Sequence, residues 1–146
     1  MPQFIIRVYA IIINERNEVL LSDEYMADTA MTKFPGGGLE FGEGALDCLK
    51  REAVEELDQE IEIVDHFYTT DYYQKALFYP DAQLISIYYT ARFTEPIRFK
   101  LSQKPFDFPE NTNGSQSLRW VDIAKLSVDD MTFPIDKLVA NKIKNR

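Results

Sequence analysis

The sequence predicts an α/β (α+β) fold in which a mixed β-sheet lies between helices. Segments of strand-like composition stand before and after one helical segment in the middle of the chain, and a second helical segment ends it. Hydrophobic residues make up 45% and charged residues 27% of the 146 residues, which is typical of a globular chain. No repeat, low-complexity tract or linker divides the sequence. We therefore expect a single domain over residues 1–146.

The first half of the chain opens with a strand that is apolar on both faces. The run from Phe4 to Ile13 is rich in β-branched residues, so we expect it in the centre of a sheet. The run is too short to span a membrane and lacks the features of a secretory signal, so the expected location is the cytoplasm. The elements expected next are a turn at 14–17, a return strand beginning at 19–21, a glycine loop at 36–38 and a helix at 44–57.

The second half predicts two longer strands, a long loop and a terminal helix. The expected elements are strands at 61–73 and 84–93, a loop at 95–117, a short strand at 118–121, a helical turn at 122–126 and a helix at 134–145. Pro134 at the first helical position and basic residues at the end favour this last helix.

Charge and residue counts exclude several classes of function. The formal net charge of −8 shows no basic footprint of the kind that binds duplex nucleic acid. Cys48 is the only cysteine, so no intramolecular disulfide and no cysteine-based zinc cluster can form. His66 is the only histidine, and we interpret it as structural. A metal site here would use oxygen ligands, which favours Mg²⁺, Mn²⁺ or Ca²⁺.

The central helix carries a strip of carboxylates beside its apolar side. On a helical wheel, Leu46, Leu49, Ala53 and Leu57 form the stripe expected to face the core. The neighbouring strip holds Glu52, Glu55 and Glu56. Like charges at this spacing repel one another, and a bound divalent cation would turn that repulsion into ligation.

The residues around this helix fit the same interpretation. Three glycines, Gly36 to Gly38, give a backbone that passes close to a ligand and presents carbonyls or amides to it. No Lys-Ser or Lys-Thr follows, so this is not the phosphate-binding loop of nucleoside triphosphatases. Arg51, four residues before Glu55, is expected to hold a carboxylate in a fixed orientation. Cys48 is predicted to be a packing residue rather than a nucleophile.

These residues together resemble the Nudix box, G-x5-E-x7-R-E-U-x-E-E-x-G-U, where U is a bulky aliphatic residue. The matching positions are Gly37, Glu43, Arg51, Glu52, Glu55 and Glu56. The segment Leu118 to Asp122 and the strands before the box also resemble the flanks of that family. The resemblance implies a sandwich of helices around a mixed sheet.

The same resemblance implies Mg²⁺-dependent hydrolysis of a nucleoside diphosphate linked to another moiety, with Mn²⁺ as an alternative ion. It implies that Glu52, Glu55, Glu56 and the Gly36 carbonyl bind the metal. Arg51 and Glu43 would orient this set, and Glu52 would also serve as the base. A homodimer is a further expectation from the family, whereas no membrane or duplex partner is expected.

The sequence departs from the box at its end. Asp58 stands at the usual glycine, Gln59 stands at the final aliphatic position, and Ala53 is small for its position. Many members also carry a glutamate shortly before the last tryptophan, where this chain has residues 115–117, Ser-Gln-Ser. The general base therefore stays open between Glu52 and a loop carboxylate, Asp107 or Glu110.

Alternatives to a hydrolase also stay open. A nucleotide-sensing domain without turnover would lose a charged box residue, and none is lost. An isoprenoid diphosphate isomerase of this fold would bring a catalytic cysteine, and a calcium module would bring EF-hand loops. Arg7 and Lys33 are candidate phosphate partners, although Lys33 is rather expected to be solvated. The candidates for base stacking are Tyr68, Tyr72, Tyr73, Tyr88 and Tyr89.

Overall fold

The computed structural model describes residues 1–146 and confirms the α+β class, with seven strands, two α-helices and one 3₁₀ helix. The strands are β1 (Gln3–Ile12), β2 (Glu18–Met26), β3 (Thr29–Lys33), β4 (Gly36–Gly38), β5 (Ile61–Thr69), β6 (Ala82–Phe93) and β7 (Ser115–Asp122). The helices are α1 (Ala45–Leu57) and α2 (Pro134–Lys144), with the 3₁₀ helix at Val128–Asp130. Neither α-helix is long and apolar enough to cross a membrane.

The chain forms two compact units, and the first comprises Met1–Ile11 with Gly36–Ile97. Its four strands lie in the order β4-β1-β6-β5, so β1 is interior as the apolar run predicts. Val8 to Ile12 are buried because β1 has neighbours on both sides. Helix α1 packs against β4 and β5. The unit therefore brings the glycine strand and the glutamate helix together.

The second unit comprises Ile12–Pro35 with Arg98–Arg146 and contains a three-stranded sheet in the order β3-β2-β7. Its interior holds an ion pair between Asp23, which is fully buried, and Arg119, with Nε 2.7 Å from Oδ2. The Thr32 hydroxyl and the Phe106 amide also donate to Asp23, at 2.6 and 3.2 Å. This carboxylate therefore ties the loop before β7 to the sheet.

Strand β3 is the element that the sequence does not reveal. It pairs with β2 through a two-residue turn, Ala27-Asp28, in which both residues have positive φ (51° and 58°). Such hairpin turns normally carry Asn-Gly or Asp-Gly, and alanine rarely adopts this conformation. The usual hairpin signal is therefore missing. Lys33, expected to be solvated, is instead buried in this strand and pairs with Glu24 at 3.2 Å.

The structure corrects four other expectations. Residues 36–38 form a strand rather than a free loop, since they pair with β1. Strand β5 ends at Thr69, where the chain turns, and β7 begins at Ser115. On α1 the buried residues are Cys48, Leu49, Ala53 and Leu57, whereas Leu46 is 45% exposed. Cys48 takes the inward position in the first turns, and its thiol donates to the Gly38 carbonyl, with Sγ 3.5 Å from the oxygen.

The buried Asp23–Arg119 pair generates a stability prediction. Asp23→Leu should lower the free energy of unfolding by about 3–5 kcal/mol, because it leaves a largely buried guanidinium without its carboxylate. Adding Arg119→Met should recover much of that loss, since two apolar side chains replace the pair. Urea unfolding of the single and double variants measures both effects. If the double variant lost the sum of what the two single variants lose in free energy of unfolding, the two side chains would not form a stabilising pair.

Candidate active site

Strand β4 consists of three glycines and lies where two other backbones come close. Its register with β1 pairs Gly36 with Tyr9, Gly37 with Val8 and Gly38 with Arg7. A Cβ at Gly36 would lie 2.1 Å from the Val8 carbonyl oxygen, and Gly36 has φ of +149°. A Cβ at Gly37 would lie 2.5 Å from the carboxylate carbon of Glu52. At Gly36 the obstacle is backbone, so glycine is required there, whereas a side chain at Gly37 would displace the Glu52 carboxylate.

Arg51 joins the helix to the loop and to the glycine strand. Its guanidinium binds Glu43 in a bidentate manner, with Nε 3.1 Å from Oε2 and Nη2 2.7 Å from Oε1. Nη2 also donates to the Gly38 carbonyl at 3.0 Å. A bidentate arginine–carboxylate pair fixes orientation as well as distance. The positions of the helix, the loop and β4 therefore depend on one side chain.

The same arginine contacts two of the three predicted carboxylate ligands. Nη1 donates to Glu52 and to Glu55, each at 3.0 Å. The Glu52 side chain is 13% exposed and that of Glu55 is 58% exposed. Glu56 is half-buried, and one of its carboxylate oxygens is shielded from solvent. The carboxylate strip of α1 thus begins against the glycine strand and extends towards solvent.

The ligand set predicted from the sequence is not gathered around a single point in the structure. No group of three or more His, Cys, Asp or Glu side chains is arranged to hold a metal ion. Glu52 and Glu55 point to Arg51 instead. Gly36, the predicted carbonyl ligand, is buried opposite Tyr9 in β4. The structure therefore brings Glu43, Arg51 and Glu52 together closely, and Glu55 joins them at the exposed side.

The electrostatics of the site are dominated by the Arg51–Glu43 pair. Hydrogen bonds from Arg51, and then from the Glu40 amide, lower the pKa of Glu43 to about 2. The same pair raises the pKa of Arg51, with a further contribution from Glu52. Both groups are therefore charged throughout the physiological pH range.

Cys48 lies beside this pair, and its environment lowers the reactivity of the thiol. Its side chain is fully buried, and burial, followed by the nearby charge of Glu43, raises the pKa of the thiol to about 12. Since the thiolate is the reactive form, this environment supports a packing role. It also removes the catalytic cysteine that the isomerase alternative requires.

The two departures at the end of the box have structural substitutes. Asp58 caps α1 in the left-handed conformation (φ 51°, ψ 37°), and its amide donates to the Val54 carbonyl. Asp is among the few non-glycine residues that adopt this conformation readily. Gln59 is buried and donates to the Pro96 carbonyl at 3.2 Å. The helix therefore ends as a glycine-capped helix would, and Gln59 attaches it to the chain after β6.

Other candidate residues lie outside this cluster of contacts. The carboxylate of Asp107 accepts from the Ser102 hydroxyl at 2.8 Å, and the Glu110 backbone carbonyl accepts from Ser115 at 3.0 Å. His66 is exposed on β5 and lies 2.8 Å from the Thr69 hydroxyl. Among the tyrosines, Tyr68 and Tyr88 are buried, and Tyr72 and Tyr73 are exposed at 40% and 68%.

One contact near the site was not inferred from the sequence. The Arg7 Nε donates to the Tyr9 hydroxyl at 2.6 Å, and the guanidinium carbon lies 5.5 Å from the Tyr9 ring centroid. The spacing of two along a strand, which places both side chains on one face, is the signal that points to it. Tyr9 in turn stacks on Tyr88, with ring centroids 5.2 Å apart.

Comparison with known proteins agrees with the box and with the fold. The family model for the NUDIX domain matches residues 3–142. No curated protein matches the chain at a significant level. Solved structures do match it, and all those described next are less than 25% identical to it, so they bear on the fold alone.

The MutT protein from Methanosarcina mazei Go1 is 20% identical with a TM-score of 0.69, covering 99% of this chain and 95% of that one. MutT from methicillin-resistant Staphylococcus aureus 252 is 24% identical with a TM-score of 0.62, covering 99% and 98%. An ADP-ribose pyrophosphatase from Streptococcus suis 89-1591 is 17% identical with a TM-score of 0.58, covering 95% and 86%. The chain is thus similar over nearly its whole length to these structures.

The lowered pKa of Glu43 predicts a pH-dependent contribution to stability. The ionised carboxylate stabilises the fold fully above its unfolded pKa of about 4.5, and this contribution is lost as pH falls towards about 2. The wild type should therefore exceed Glu43→Gln in free energy of unfolding at pH 7, by a margin that shrinks below about pH 4.5. Urea titrations at several pH values measure this margin. In an Arg51→Met background the pH dependence should largely disappear, and its persistence there would contradict the stated cause.

The environment of Cys48 predicts low thiol reactivity in the native protein. At pH 8 the folded chain should react with a disulfide reagent at least about 100-fold more slowly than the urea-unfolded chain, because the buried thiol is protonated. Since Cys48 is the only cysteine, unfolding should make one thiol per chain available to the reagent. Rapid reaction of the native protein would show that the site is open at this position.

Proposed function

Because this chain belongs to the NUDIX family of pyrophosphate-bond hydrolases, we propose that it cleaves the diphosphate of a nucleoside-diphosphate-linked substrate with Mg²⁺. Mn²⁺ is the alternative ion. The observation that carries the proposal is the set of contacts of Arg51, which joins Glu43, Glu52, Glu55 and the Gly38 carbonyl. The charged residues of the box are all present, and Glu43, Glu52 and Glu55 converge on this side chain.

The donor chemistry of α1 fits a hard divalent cation. Glu52, Glu55 and Glu56 offer carboxylate oxygens, and the Gly36 carbonyl would be a further oxygen ligand. Mg²⁺ is usually bound by one or two carboxylates together with waters and substrate phosphates, rather than by an all-protein cage. A site that is not assembled from three side chains before substrate binds is consistent with that behaviour.

Each residue of the cluster would have a distinct role. Glu55 would hold the ion at the exposed side of the strip, and Glu56 and Glu52 would hold it at the less exposed side, with Glu52 next to Gly37. Arg51 and Glu43 would act as positioning residues, since their pair fixes the start of α1 against the loop. The bound ion would supply neutralisation of the diphosphate and activation of a water.

We assign the general base to Glu52 rather than to a loop carboxylate. Its carboxylate lies beside β4, is only 13% exposed and is held by Arg51, so its position is defined. Asp107 accepts a hydrogen bond from Ser102 and lies 3.9 Å from Lys104, which gives it a local structural role. Glu52 would take a proton from the attacking water, and placement and charge stabilisation would provide most of the rate.

The proposal predicts metal-dependent turnover that depends on the carboxylate strip. The chain should release a nucleoside monophosphate or phosphate from at least one of four substrate classes, and only with Mg²⁺ or Mn²⁺. The classes are nucleoside triphosphates, ADP-ribose, nucleotide sugars and dinucleoside polyphosphates. Glu56→Gln should lower kcat by roughly 100-fold or more, because even residues that only orient metal ligands contribute about 10–100-fold.

Glu60→Gln is the matched control, since Glu60 is an exposed glutamate just beyond the end of α1. It should retain wild-type turnover. Equal activity of the two variants would overturn the assignment of the metal ligands. Tight nucleotide binding without turnover of any substrate would instead favour a sensing domain.

A further inference from the structure

Gly38 is a glycine that the fold itself does not require. Gly36 has a positive φ, and a side chain there would strike Val8, while a side chain at Gly37 would strike Glu52. Gly38 has no positive φ, and a Cβ at this position would meet no atom within 4 Å. The absence of a side chain therefore leaves open space over a strand, which is a common device where a ligand approaches the backbone.

Arg7 lies next to that open space. It pairs with Gly38 across β1 and β4, and paired residues of antiparallel strands point to the same face. Arg7 is half-buried, and its guanidinium is held by the hydroxyl and the ring of Tyr9. Tyr9 is only 4% exposed and stacks on the fully buried Tyr88. The Arg7 guanidinium is thus held in place by the buried pair of stacked tyrosine rings.

The backbone at Gly38 is also fixed. Its carbonyl accepts from Arg51 at 3.0 Å and from the Cys48 thiol at 3.5 Å. Strand β4 is at the margin of the four-stranded sheet. Successive positions on a strand alternate between faces, so the open side of Gly38 lies opposite to the face on which Gly37 meets Glu52. The two positions are about 3.3 Å apart along the strand.

We propose that Arg7 and the open backbone of Gly38 form a phosphoryl-binding subsite. The subsite holds one phosphoryl group of the nucleoside-diphosphate substrate at the margin of β4. This inference rests on the proposed function. Arginine is suited to the role because its planar fork binds two phosphate oxygens at once. In a chain of net charge −8, a fixed local cation also gives an anionic substrate a favourable place to bind.

The test compares Arg7→Met and Gly38→Val with Arg92→Met. Arg92 is an exposed arginine of β6 that pairs with Glu62, so its replacement controls for the loss of one positive charge in the same unit. With Mg²⁺ and the best substrate of the panel, KM should rise about tenfold in each of the first two variants. Arg7→Met removes a charge-assisted contact, and Gly38→Val fills the space that the phosphoryl group would occupy. Their kcat should stay within about twofold of wild type, and Arg92→Met should match wild type in both constants.

Binding of inorganic pyrophosphate without metal separates this inference from the proposed function. The wild type should bind pyrophosphate with a shift of the Gly38 amide resonance, and both variants should bind it at least about tenfold more weakly. If pyrophosphate binds in this way but the protein hydrolyses no substrate of the panel, the subsite is supported and only the proposed catalytic function is overturned. Unchanged KM and pyrophosphate affinity in both variants, or a change in only one of them, would overturn the subsite. Should Gly38→Val unfold at a lower temperature than wild type, Gly38→Ala replaces it.

Discussion

The contact on which the site depends is the bidentate pair between Arg51 and Glu43. Without it, the loop that follows β4 loses its bidentate attachment to α1, and the guanidinium loses the contact that fixes its orientation towards Gly38, Glu52 and Glu55. One planar cation thereby sets three distances at once, because its donors are rigid relative to one another. The carboxylate strip is held together by this positive charge, and the repulsion between neighbouring glutamates is offset in the same way.

A second arginine–carboxylate pair has the same role in the other unit, where it fixes the position of a loop. Arg119 and Asp23 lie in the interior of the three-stranded sheet, and the carboxylate also accepts from Thr32 and Phe106. A buried charge that is fully hydrogen-bonded contributes more to a unique arrangement than to net stability. Each unit thus uses one ion pair to fix an irregular segment, the loop after β4 in the first and the segment around Phe106 in the second.

The sequence predicts those parts of the fold and site that follow from periodicity and fixed spacing. The apolar run predicts the interior strand β1, and the 3.6-residue period predicts α1, since burial dictates both patterns. Strand β3 cannot be predicted from the sequence, because Ala27 in its turn has a positive φ, a conformation that alanine rarely adopts. The burial of Lys33 cannot be predicted for a related reason. Its ion pair with Glu24 forms only because β2 pairs with β3. The contact of Arg51 with Gly38 depends likewise on tertiary placement, whereas the resemblance of the box supplied the identities of the charged residues.

The closeness of Gly37 to Glu52 limits how this gene can change. Every amino acid except glycine carries a Cβ, so any missense change in that codon places an atom about where the carboxylate now lies, 2.5 Å from its carbon. Because these atoms are the end of the Glu52 side chain, it is this carboxylate rather than the backbone that has to move, and alanine is enough to move it. A single missense substitution in the Gly37 codon is therefore enough to displace the Glu52 carboxylate from its place beside β4.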